Sequence, residues 1–133
     1  MNPSLLSEFR LPPESAVQLG TRERNQLLRF LLRWRATTEL HACLDLLVDE
    51  HPGLVSLLDM RAQALAADAR YDEAVEVMTQ RLQARTSASA LGLLADIYLG
   101  QGNIRSAEAI AQALIDEDAR SYTGWRIKAE AGL

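Results

Sequence analysis

Residues 91–107 read LGLLADIYLGQGNIRSA, and the same pattern of small and apolar residues occurs 33 residues earlier, at 58–74. The matched pairs are Leu58/Leu91, Ala62/Ala95, Leu65/Tyr98, Tyr71/Ile104, Ala74/Ala107 and, just beyond, Met78/Ala111. A fixed period of this length is typical of repeat proteins, in which each short unit buries its apolar face against its neighbours.

Each copy divides into two helical stretches separated by a turn. Leu91, Ala95 and Tyr98 are spaced by four and then three residues, which places them on one side of a helix. Gly102 can adopt the left-handed conformation that ends a helix. A second stretch then contains Ala107, whose small side chain lets two antiparallel helices approach closely. The spacing therefore predicts a helix–turn–helix unit.

This pattern resembles the tetratricopeptide repeat, a family of helix pairs that are about 34 residues long. The residues that carry the resemblance are Leu91, Leu94-Ala95, Tyr98, Gly102, Ala107 and Ala111. Trp125 resembles the large first landmark of a further unit, and a divergent earlier unit ends at His51-Pro52. Two positions depart from the family: Leu40 stands where a small residue is usual, and Ala69-Arg70 replaces the usual Gly-Asp turn.

The resemblance covers about residues 21–133 and implies an all-α fold. We expect antiparallel helix-turn-helix repeats stacked as a short right-handed tetratricopeptide-like solenoid of about seven helices. The expected units are 21–54, 55–87 and 88–121, followed by a capping helix at 122–133. The predicted helices lie near 22–34, 38–50, 54–67, 71–84, 88–100, 104–117 and 121–131.

Residues 1–20 are expected to form an N-terminal arm outside the repeats. The segment Leu11-Pro12-Pro13 favours an extended conformation. The arm is either disordered in part or carries a short helix between Glu14 and Leu19.

Composition and charge narrow the classes of function. The apolar fraction is 48%, carried largely by Leu and Ala, which favours helices. The net charge is -4, but residues 1–35 carry +3 and the remainder -7. A nucleic-acid binder needs a concentrated basic surface, so we expect no nucleic-acid partner, including RNA read by helical repeats.

The sequence also indicates a compartment. A single cysteine, Cys43, excludes an internal disulfide and suits a reducing environment. The first residues lack the basic start and long apolar run of a signal peptide. No stretch approaches the roughly 20 apolar residues that span a bilayer. We therefore expect a cytoplasmic protein without membrane insertion.

No pattern of catalytic or metal-binding residues stands out. His41 and Cys43 are two residues apart on a predicted helix, so they point about 200° apart and cannot chelate together. We expect a half-buried Cys43 beside a surface His41. The segment Gly100-Gln101-Gly102 follows no strand and precedes no lysine, so it is not a nucleotide loop. We therefore expect no enzyme, no cofactor and no metal.

The acidic run Asp116-Glu117-Asp118 lies at the end of a predicted helix where negative charge is unfavourable. It is either a contact for a cation or a basic partner, or a solvated turn before the next helix. We favour the solvated turn.

In the tetratricopeptide family the first helix of each pair lines the inner, concave surface and usually holds the partner. The resemblance places on that surface Arg22, Asn25, Arg29 and Arg33, then Asp59, Gln63 and Ala66, then Ser89, Gly92, Asp96 and Leu99, and finally Arg126 and Glu130. Arg22, Arg29 and Arg33 share one helical face by their spacing alone. They either pair with acidic or carboxylate groups of a partner or form a solvated basic face.

The sequence thus predicts a non-catalytic protein–protein interaction module. As an adaptor or small chaperone, it would bind a peptide or helix of another protein in the concave groove. The alternative is a structural assembly or homo-oligomerisation module that uses an outer helix face, for example around Leu28, Leu31, Leu32 and Trp34. A weaker alternative is a chaperone of the type III secretion kind, because those proteins are often small, acidic and cytoplasmic.

Overall fold

The computed structural model of the protein describes residues 14–132, and within this range every regular element is an α-helix. The helices are α1 Glu14–Gln18, α2 Thr21–Arg33, α3 Thr37–Glu50, α4 Val55–Ala67, α5 Tyr71–Ala84, α6 Ala88–Gln101, α7 Ile104–Glu117 and α8 Tyr122–Glu130. Each bound of α2 to α8 lies within one residue of its predicted position. The all-α prediction and its seven main helices are confirmed.

The helices form a stack of pairs in which α2 packs on α3, α4 on α5 and α6 on α7. Turns of two or three residues join the members of each pair, so neighbouring helices run antiparallel. The first helices also contact one another, α2 with α4, α4 with α6 and α6 with α8. Among the described residues, α3, α5 and α7 make no such mutual contacts. The stack therefore curves towards α2, α4, α6 and α8, and we call the concave side that these four helices line the inner face.

Small residues at repeated positions hold each pair together. Ala62 and Ala74 are fully buried in the second pair, as are Ala95 and Ala107 in the third. Their size lets the two backbones approach closely, so that larger neighbours interlock around the contact. In the first pair the equivalent positions carry leucines, Leu40 among them, and these leucines fill the same place in the core.

The predicted outer interface around Leu28 and Leu31 is wrong. Both side chains are 1% exposed and belong to the core between α2, α3 and α4. The reason is the register of α2, which turns these leucines towards α3 and α4 rather than towards solvent. Trp34 is half-buried, with its ring 6.4 Å from that of Phe30.

The turn inside each pair uses one left-handed residue at the same repeat position. Arg35, Ala69 and Gly102 have φ angles of 55°, 60° and 86°. In each case the next backbone N–H donates to a carbonyl near the end of the first helix, at 2.8–2.9 Å. This arrangement satisfies carbonyl groups that the helix end leaves without partners. Only the third turn carries the glycine that tolerates this conformation best.

Residues 14–18 lie inside the segment assigned to the N-terminal arm, yet α1 packs against α3 and Val17 contacts the first core cluster. The extended segment predicted at residues 11–13 lies outside the described residues. The unit boundaries stay predictions. None of the helices between residues 14 and 132 has the length and apolarity needed to traverse a bilayer.

Exchanging the turn residues should change stability in opposite directions. Ala69→Gly should raise the free energy of unfolding by about 0.5–1 kcal/mol, because it relieves a left-handed alanine. Gly102→Ala should lower it by about 1 kcal/mol, since its Cβ would meet no atom within 4 Å and the loss is purely conformational. Urea denaturation followed by circular dichroism measures both, and a destabilised Ala69→Gly variant would contradict this account.

Candidate binding surface on the inner face

The first inner helix presents a row of arginines. Arg22, Arg29 and Arg33 are exposed on α2, and Asn25 is half-buried between them. None of the three arginines forms an ion pair with a residue in the range 14–132. Their positive charge is therefore available at the surface of the described structure.

Arg24 does not contribute to this basic surface. Arg24 is only 6% exposed, and its Nε has no hydrogen-bond partner among the described residues. It occupies the repeat position of Leu58 and Leu91, which lie 34 and 67 residues further along the chain. Arg24 contributes to the balance of +3 in residues 1–35, but the structure turns its side chain towards the core.

A recess of about 160 Å³ lies between α2 and α4 on the inner face. Its lining residues are Asn25, Leu28, Arg29, Ser56, Leu57, Asp59, Met60 and Gln63. The structure thus brings together four residues that the sequence placed on the groove: Asn25, Arg29, Asp59 and Gln63. Ser56 was missed, although it lies 33 residues before Ser89 and the repeat register alone identifies it.

The carboxylate of Asp59 is not free, because it forms an ion pair with Arg81 of the neighbouring helix α5. Arg81 Nε donates to Asp59 Oδ1 at 2.7 Å, and a second guanidinium nitrogen lies 3.4 Å from Oδ2. The Arg81 side chain is 7% exposed and also donates to the backbone carbonyl of Arg85. This pair neutralises the acidic charge beneath the recess.

Sequence reasoning missed Arg81, although a signal was present. The residues 34 positions before and 33 positions after it, Leu47 and Leu114, are apolar and buried. An arginine at a core position of a repeat requires a buried partner, since an unpaired charge in the interior is costly. Asp59, 22 residues earlier in the first helix of the same pair, was the carboxylate to suspect.

A second ion pair closes the far end of the inner face. The Arg126 guanidinium of α8 donates to both carboxylate oxygens of Asp96 on α6, at 3.0 and 3.1 Å, and to Glu130 at 3.0 Å. The hydrogen bond with Asp96 is the main cause that raises the Arg126 pKa above its ordinary value. These groups fasten α8 to α6 and leave little charge of Arg126 for a partner.

The remaining groove candidates carry no charge. Ser89 is exposed at the start of α6, and Leu99 is half-buried against the third core cluster. Gly92 is buried, and a Cβ there would lie 2.6 Å from Cγ2 of Thr123, so glycine permits the close approach of α6 and α8. Uncompensated charge on the described inner face is therefore concentrated on α2 and is positive.

The outer side of the stack has a different character. A recess of about 320 Å³ is lined by residues of α3, α4 and α5. Arg61 pairs with Asp45 at 2.5 Å and Arg70 pairs with Glu73 at 2.6 Å. Most charged side chains of this recess are already ion-paired with one another. The recess therefore has less unpaired charge for binding a partner than α2 has.

His41 and Cys43 both form contacts that belong to the packed fold. His41 Nε2 lies 3.0 Å from Asp68 Oδ2, which links α3 to the turn after α4. Cys43 is fully buried rather than half-buried, and burial raises the pKa of its thiol, with Glu39 adding to the effect. Between residues 14 and 132, no three side chains of His, Cys, Asp or Glu are grouped so as to hold a metal ion.

Comparison with known proteins agrees with this architecture. The family model described as tetratricopeptide repeat matches residues 61–130, more than half of the chain. The chain belongs to the tetratricopeptide repeat family. Tetratricopeptide repeats generally act as interaction modules that bind other proteins. No curated protein and no solved structure matches the chain.

The Arg81–Asp59 pair gives a sharp stability prediction for this tetratricopeptide repeat protein. Arg81→Ala should lower the free energy of unfolding by about 2–4 kcal/mol. The change leaves the carboxylate of Asp59 without its ion-pair partner and removes the buried aliphatic part of the arginine side chain. The double variant Asp59→Asn with Arg81→Leu should recover most of that loss, since Leu matches the equivalent residues of the neighbouring repeats. Thermal and urea unfolding measure both. Equal losses in the single and double variants would show that the ion pair is not the cause.

Proposed function

We propose that the protein is a non-catalytic adaptor or small chaperone that binds an acidic segment of another protein at the α2 end of its inner face. The observation that carries this proposal is the row of exposed arginines on α2, which have no carboxylate partner in the described structure. The carboxylates further along the inner face, Asp59 and Asp96, already have arginine partners.

The spacing of the arginines suits an extended segment. Arg22 and Arg33 are eleven residues apart, which corresponds to roughly 16 Å along a helix axis. An extended peptide advances about 3.3 Å per residue, so about five residues span this distance. Arginine favours carboxylates because its planar guanidinium can donate two parallel hydrogen bonds.

The recess beside Arg29 supplies the uncharged part of the site. Asn25 and Gln63 carry amide groups that both donate and accept hydrogen bonds, which suits the backbone of a bound peptide. Met60 adds a flexible apolar surface that adapts to different side chains. A partner segment with an acidic stretch followed by a small or apolar residue fits this combination.

Charge reversal on α2 tests the proposal. The variant with Arg29→Glu and Arg33→Glu should bind a fluorescent acidic peptide, made of Glu and Gly, at least about tenfold more weakly than the natural protein. The same peptide with Gln in place of Glu should bind poorly to both proteins. Fluorescence anisotropy at two salt concentrations measures the affinities, and binding should weaken as salt rises.

The matched control reverses two arginines away from the inner face. The variant with Arg105→Glu and Arg120→Glu has the same net charge, and both residues are exposed outside α2, α4, α6 and α8. It should bind the acidic peptide about as well as the natural protein. If both variants lose binding equally, the effect is one of net charge and the inner-face site is excluded. Helicity and melting temperature, measured on every variant, separate loss of binding from loss of fold.

A further inference from the structure

The outward side of α8 carries the two most exposed large hydrophobic side chains of the described structure. Its inward side is tightly seated: Ile127 is fully buried, and a Cβ at Gly124 would lie 3.0 Å from the carbonyl oxygen of Ala111 in α7. That seating leaves Tyr122 and Trp125 pointing away from the stack, 78% and 51% exposed. Large aromatic side chains are usually buried, so two exposed ones on one side of a helix mark a candidate interaction surface.

Trp125 is exposed and yet held in place. Its indole N–H donates to the carbonyl oxygen of Ala119 at 2.9 Å, and Lys128 Nζ lies 5.5 Å from the ring centroid. Lys128 in turn donates to Gln112 of α7 at 2.9 Å. Because these contacts already fix the ring, a molecule that packs on it loses little conformational entropy on binding.

Charges of opposite sign flank the aromatic residues. Glu117, the last residue of α7, and Asp118, which follows it in the turn before α8, are both exposed, and we call them the acidic lip. Neither forms an ion pair with a described residue, and Asp118 Oδ1 accepts only the backbone N–H of Arg120. At the other end of α8 is the cation of Lys128. Along α8 the surface is therefore acidic at one end, aromatic in the middle and basic at the other end.

We propose that a second copy of this chain covers this surface, with the two α8 helices antiparallel about a two-fold axis. Such an axis near residues 122–125 places Lys128 of each copy against the acidic lip of the other. It also brings the two pairs of Tyr122 and Trp125 together at the centre. A surface that complements itself under two-fold rotation is what a symmetric dimer requires. This inference does not rest on the proposed function of the inner face.

The small area of this α8 surface limits the affinity of the dimer. The nine residues of α8 form a helix about 13 Å long, so the interface is smaller than those of stable complexes. We expect a dissociation constant on the order of 100 µM. Aromatic residues at the centre and charges at the rim match the usual composition of interfaces.

The first measurement is the mass of the natural protein as a function of concentration. Sedimentation equilibrium from about 10 µM to about 1 mM should show the mean mass rise from 14.7 kDa towards twice that value and no further. A protein that stays monomeric throughout would overturn the proposal and leave the surface to a different partner. A mass that keeps rising beyond the dimer would overturn the two-fold arrangement.

Two charge variants test the geometry. One carries Lys128→Glu and the other carries Glu117→Lys with Asp118→Lys, so that each repels its own copy at both ends of the interface. Each variant alone should remain monomeric where the natural protein dimerises. Their equimolar mixture should form a heterodimer, because both end contacts then join opposite charges. This recovery excludes misfolding as the cause of the loss.

The control is Arg105→Glu, which changes the net charge as much as Lys128→Glu does but lies on α7 away from this surface. It should dimerise like the natural protein. Dimers of Lys128→Glu with unchanged affinity, or a mixture that stays monomeric, would show that the copies meet elsewhere and would overturn the proposal.

Discussion

Close approach of paired helices through repeated small residues is the constraint on which the rest of this structure depends. Ala62 and Ala74, and the equivalent residues in the next unit, are fully buried, and their small side chains let two helix backbones approach closely. The larger neighbours then interlock, and each pair offers the next one an apolar surface of the same shape. A bulky residue at any of these positions has to be matched by its partner, as leucines do in the first pair.

The same packing decides which charges a partner can meet. The repeat register places Arg81 at a core position. There it forms an ion pair with Asp59, so the Asp59 carboxylate is not available to a partner. Arg126 does the same to Asp96 while fastening the last helix. Since the stack neutralises its own inner acids, the basic row on α2 dominates the inner face. The fold and the proposed selectivity for acidic segments therefore have one physical origin.

The two proposed surfaces lie at opposite ends of the stack, which lets them act together. The basic row is on α2, and the aromatic surface is on α8. A dimer through α8 leaves both inner faces open. A partner with two acidic segments then gains from the high effective concentration of the second site, even though each contact alone is weak.

The sequence by itself determined the period and the helix bounds, because these follow from local spacing, small residues and turn residues. It also identified four residues of the recess between α2 and α4. Only the tertiary structure decided that Leu28 is core, that Arg24 is buried and that Asp59 and Asp96 already have partners. The two ion pairs join residues that are 22 and 30 positions apart, and the burial of Leu28 and Arg24 depends on how α2 is rotated against its neighbours. Periodicity places a residue on a face of its own helix, but packing decides what that face meets.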